Sequence, residues 1–69
     1  MHLFLRIYNT PVGVNAWCEG CGNCLEASST LGLVAAILDH LRRKHKKEYA
    51  DVTPDLVARN VIDARKAVA

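Results

Sequence analysis

Five side chains in this sequence share one chemistry. Cys18, Cys21 and Cys24 fall within seven residues, and His40 and His45 follow further along the chain. Thiolate sulfur and imidazole nitrogen are ligands that tetrahedral zinc prefers, and a structural zinc site takes four of them. Cys18 and Cys21 are two residues apart, with Gly20 between them and Gly22 after. This spacing lets both sulfurs converge on one ion while glycine permits a tight backbone reversal. An odd number of clustered cysteines argues against a secreted disulfide scaffold and for metal or redox chemistry in a reducing compartment. Two other chemistries draw on the same thiols. A Cys-x-x-Cys after a strand can form a reversible disulfide, although this chain lacks the length for the βαβ core such enzymes use. Cys18-x2-Cys21-x2-Cys24 also supplies three ligands for an iron–sulfur cluster, leaving a histidine to complete it.

The elements that position these residues follow from hydrophobic periodicity. Residues 2–8 alternate as a strand, with Leu3, Leu5 and Ile7 on one face and His2, Phe4, Arg6 and Tyr8 on the other. Asn9-Thr10-Pro11 and Gly13 are turn chemistry. A second strand through Val14-Asn15-Ala16-Trp17 pairs back as a hairpin and delivers the chain to Cys18. Residues 18–27 form the cysteine knuckle. Ser28, Ser29 or Thr30 then caps a helix running to about residue 48, whose apolar stripe is Leu31, Val34, Leu38 and Leu41, broadened by Leu33 and Ile37. Thr53-Pro54-Asp55 starts a second helix, with a hydroxyl cap, proline at the first position and an acid behind it. Its narrow apolar face is Val57, Val61, Ala64 and Val68. The expected fold is α+β: residues 1–69 form a single zinc-stabilised domain, with hairpin and knuckle over 1–27, one helix over 28–50 and another over 53–69.

With the Cys18-Glu19-Gly20-Cys21-Gly22 knuckle and the His40-x4-His45 helix end in view, residues 14–45 resemble a two-cysteine, two-histidine zinc finger. The resemblance implies Cys18, Cys21, His40 and His45 as ligands, with Ile37 in the place of the core leucine. Eighteen residues separate Cys21 from His40, against about 12 in the standard finger. The chain is therefore similar to divergent or treble-clef-like fingers as much as to the standard one. Residues five apart lie ~140° apart around an ideal helix. His45 falls inside the Leu31/Val34/Leu38/Leu41 stripe and His40 at its edge. Both reach one ion only if the helix tightens or unwinds near Arg42-Arg43. Otherwise Cys18, Cys21, Cys24 and His45 make a complete set.

Arg42, Arg43, Lys44, Lys46 and Lys47 supply five of nine basic residues with no acid among them, in a chain of formal net charge +2. On a helix end such a cluster complements the macrodipole. It can also neutralise phosphates and release counterions, which makes nucleic acid, DNA or RNA, the expected partner. The alternative is a larger protein with an acidic surface, which this chain would modulate. No paired carboxylates and no nucleophile with an evident base are visible, so neither an enzymatic activity nor a small-molecule substrate is expected. The longest apolar run, residues 31–38, is too short to span a bilayer. The N-terminal stretch lacks the features of a signal peptide. A cytoplasmic, membrane-free protein is the expectation.

Overall fold

The computed structural model describes residues 5–67. His2, Leu3 and Phe4 of the expected first strand, and Val68 of the second helix face, lie outside the described residues. Three strands come first: β1 (Leu5–Thr10), β2 (Gly13–Cys18) and β3 (Cys24–Ala27). They form one antiparallel sheet in the order β1-β2-β3. Thr10 pairs with Gly13, so β1 and β2 are joined by the two residues Pro11 and Val12. The ladder thus carries Asn9 and Thr10, expected in the turn, into the strand. Gly13 is needed there because a Cβ would collide with the Ala27 carbonyl oxygen on β3.

β3 is a strand that the sequence pattern did not announce. It is only four residues long, too short for alternation to stand out. Leu25 and Ala27 pair with Ala16 and Val14, and all four point to the core face. Cys24 pairs with Trp17 and takes the opposite, open face.

Three helices follow: α1 (Thr30–Lys44), α2 (Lys46–Ala50) and α3 (Pro54–Ala67). Ser29 caps α1, accepting a bond from the Gly32 N–H at 3.1 Å. Thr53 caps α3 in the same way through the Leu56 N–H, also at 3.1 Å. The expected single helix to residue 48 is instead interrupted at His45, whose φ of −136° and ψ of 62° are not helical.

The core joins Val14 and Ala16 of β2, Leu33, Val34, Ile37 and Leu41 of α1, and Val57 and Val61 of α3. The expected α1 stripe is rotated. Leu31 is 79% exposed, while Leu33 and Ile37 are fully buried. Apolar residues nearly encircle the first three turns of α1, so periodicity alone permits either face. The sheet selects the Leu33/Ile37 side, and that choice also buries His40. The α3 face agrees with expectation at Val57 and Val61, which pack against α1 and β1. Arg65 of α3 donates to Asn9 Oδ1 at 3.2 Å and to Thr30 Oγ1 at 2.8 Å, tying α3 to the hairpin and to the start of α1. Among the described residues no helix is long and apolar enough to cross a membrane.

Candidate metal centre

Each ligand candidate is placed by a different local cause. Cys18 ends β2 on its core face, in line with Val14 and Ala16, and is fully buried. The knuckle then closes on itself. The Gly22 N–H donates to the Cys18 carbonyl at 2.7 Å, and the Cys18 N–H donates to the Asn23 carbonyl at 2.9 Å. Gly22 has a φ of 75°, in the left-handed region that glycine enters without steric cost. This reversal swings Cys21 over Cys18 while leaving it exposed.

His40 lies one turn beyond Ile37 and seven residues beyond Leu33, on the buried side of α1, and is 7% exposed. His45 arrives by the interruption after Lys44. Its N–H still donates to the Leu41 carbonyl at 2.8 Å, and its own carbonyl accepts from the Tyr49 N–H at 2.9 Å. The chain therefore remains coiled while the residue turns out of helical register. The two imidazoles, ~140° apart on a straight helix, meet with ring centroids 5.1 Å apart at 63°.

The four groups converge in a crosswise pattern. Cys18 Sγ lies 3.4 Å from His45 Nε2, and Cys21 Sγ lies 3.4 Å from His40 Nε2. All four ligand atoms lie within 4.8 Å of one another. A tetrahedral zinc with bonds of about 2.0–2.3 Å sets its ligand atoms roughly 3.3–3.8 Å apart. The donor set and the spacing therefore fit such an ion, with only small closing movements. Burial pushes the Cys18 thiol up, since a thiolate there loses hydration, and hydrogen bonding with Cys21 adds to this. Burial pushes the His40 imidazole down, with His45 and Lys44 adding repulsion. His40 is thus held neutral, the form in which imidazole ligates a metal.

Cys24 stands apart from this group. It is exposed on the open face of the sheet, beside Trp17, and is not one of the four clustered ligands. With His40 brought in by the helix face and His45 by the interruption, the alternative set built on Cys24 is not the one assembled.

The basic residues surround the same corner. Arg42, Arg43 and Lys44 close α1, and Lys46 and Lys47 open α2. Asp39, one turn earlier, pairs with Arg42 at 2.8 Å and with Arg43 at 3.2 Å. That partner lay outside the basic run and so escaped the charge count. The two guanidiniums hold the Asp39 carboxyl below the usual carboxylate range. These pairs are exposed and weak. Among the described residues, Lys44, Lys46 and Lys47 have no carboxylate in ion-pair contact.

Compared with known proteins, the chain matches no family model, no curated protein and no solved structure. The possible metal site accordingly rests on its own geometry.

Proposed function

We propose that this chain is a small, non-enzymatic zinc protein that binds nucleic acid through the basic corner next to its metal centre. The observation that carries the metal assignment is the convergence of Cys18, Cys21, His40 and His45 ligand atoms within 4.8 Å. Two sulfurs and two nitrogens suit zinc. Four protein ligands leave no open coordination position for a substrate, which supports a structural role for the ion. Free thiols of this kind belong to a reducing compartment such as the cytoplasm.

The nucleic-acid part of the reading is supported by charge. Arg42, Arg43, Lys44, Lys46 and Lys47 close α1 and open α2, with Asp39 holding Arg42 and Arg43 only in exposed pairs and Glu48 following, which leaves a net positive edge where the two helices meet. Such an edge contacts phosphates rather than reading base sequence. Metal analysis of the purified chain tests the first half: one zinc per chain is expected, and iron with visible absorbance, or a Cys18–Cys21 disulfide without metal, would refute it. Gel-shift titrations at two salt concentrations test the second. Binding of DNA or RNA that weakens steeply with salt is expected. Failure of both nucleic acids at low salt would leave an acidic protein surface as the partner of the basic corner.

A further inference from the structure

The four clustered side chains do not meet solvent equally. Cys18 and His40 are buried, His45 is half-buried, and Cys21 alone of the four is exposed. The two sulfurs lie within 4.8 Å of each other, each beside an imidazole. Gly20 and Gly22 stand on either side of Cys21, and Gly22 already carries a φ of 75°. The third thiol is on the other side of the sheet. Cys24 pairs with Trp17 on the open face, whereas Cys18 ends β2 on the core face. The sulfur set beside the exposed Cys21 is therefore the one shielded from solvent.

We propose that Cys21 and Cys18 are a peroxide-responsive pair, Cys21 attacking and Cys18 resolving, whose disulfide releases the metal. This rests on the zinc reading above and adds the regulation of that site. A thiol that ligates a metal is held deprotonated. Thiolate character together with exposure decides which cysteine a peroxide oxidises, and a resolving cysteine beside it completes the pair. Only Cys21 has both properties: Cys18 is a ligand that solvent does not reach, and Cys24 is exposed but outside the ligand cluster. Cys21 Sγ attacks one oxygen of hydrogen peroxide, the O–O bond breaks and hydroxide leaves, so Cys21 becomes a sulfenic acid. Cys18 Sγ then attacks Cys21 Sγ; the S–S bond forms, the S–O bond breaks and a second hydroxide leaves. Both hydroxides take protons from solvent. Two thiolates have given two electrons to one peroxide, and two waters result. A disulfide brings its sulfurs to about 2.0 Å, and the glycines flanking Cys21 give its backbone the freedom to close that gap. The thiolate is the metal-binding form of cysteine, so the disulfide leaves only His40 and His45, and the ion is lost. With it goes the hold on His45, the residue at which α1 ends and α2 begins. Exchange with a dithiol reductant returns both thiols.

The test uses zinc-loaded full-length protein, its zinc content measured first. It is treated with a small excess of hydrogen peroxide beside a chromophoric chelator, with glutathione oxidised in parallel as the control thiol. The cysteines are then mapped by mass spectrometry. Full release of the zinc is expected, with a chain lighter by two hydrogens than the reduced metal-free chain and a bond between Cys18 and Cys21. Dithiothreitol followed by zinc should restore the loaded protein. Cys24→Ser should release its zinc at the parent's rate and form the same bond. Dimedone, which captures sulfenic acids, should label Cys21 and not Cys18 when present during oxidation. Zinc retained under conditions that oxidise glutathione would overturn the pair. So would zinc released with sulfinic acid and no disulfide, a bond to Cys24, or dimedone on Cys18. Each of these leaves the zinc reading standing. A purified chain that takes up no zinc would refute the zinc reading itself, and the switch with it.

Discussion

Cys21 and Cys24 give a matched pair of residues. Both are exposed and both are free thiols. Replacing either by serine leaves no buried cavity, so any change reports ligation and not packing. Cys21 Sγ stands 3.4 Å from His40 Nε2, whereas Cys24 looks out of the other side of the sheet. Cys21→Ser is therefore expected to lower zinc affinity by orders of magnitude, read by competition with a chromophoric chelator. Cys24→Ser should keep one zinc per chain at unchanged affinity. Equal losses in the two variants would return Cys24 to the ligand set. The Cys-x-x-Cys pair was legible in the sequence because spacing and glycines encode the knuckle locally. The choice between His40 and Cys24 was not. It depends on a helix interruption that Arg42-Arg43-Lys44-His45-Lys46-Lys47 does not signal, since arginine and lysine are good helix formers and no glycine or proline stands there.

At the scale of elements, the hairpin and the helix starts were readable for the same local reason. Ser29 and Thr53 are capping residues, and each caps its helix. The face of α1 needed tertiary information, because Leu31, Leu33, Val34, Ile37 and Leu38 offer more than one stripe. This distinction has a measurable consequence. Ile37 is fully buried in the core that joins α1 to β2 and α3, and Leu31 is 79% exposed. Ile37→Ala should cost about 2–5 kcal/mol in urea unfolding of the zinc-loaded chain, from lost burial plus the cavity left behind. Leu31→Ala should stay within about 0.5 kcal/mol of the parent. The reverse order would mean that α1 is rotated onto the stripe that periodicity first suggests. β3 escaped the sequence pattern, yet it frames the open face: without Cys24–Ala27 along β2, Trp17 would lie at an edge instead of within a sheet.

At the scale of the whole molecule, β2 and α1 run between two fastenings. At one end Arg65 joins α3 to Asn9 and Thr30. At the other end Cys18 and Cys21 meet His40 and His45. Between them lies a core of small and medium apolar side chains, and a chain of 69 residues buries little surface with which to offset its conformational entropy. Binding a metal only in the folded state adds its binding free energy to stability. Chelation by excess EDTA should therefore lower stability and loosen the knuckle and the α1–α2 junction first, seen as loss of amide protection around residues 18–23 and 45–49, while the core turns of α1 that bury His40 and the Arg65 end persist. Acid should have the same effect in the zinc-loaded chain. Metal binding expels the thiol protons, so apparent affinity falls about tenfold per pH unit for each proton that must leave. The metal-free chain has its own dependence through His40. Its folded pKa lies below the ordinary value of 6.5 because burial disfavours the imidazolium. The unfolded state then binds more protons between the two values, and stability is lost as pH falls from 6.5 through the lowered folded value. His40→Gln should remove that acid sensitivity in the metal-free chain while abolishing tight zinc binding. A metal-free chain whose stability did not fall with pH over this range would show that His40 is not held neutral by its burial on α1.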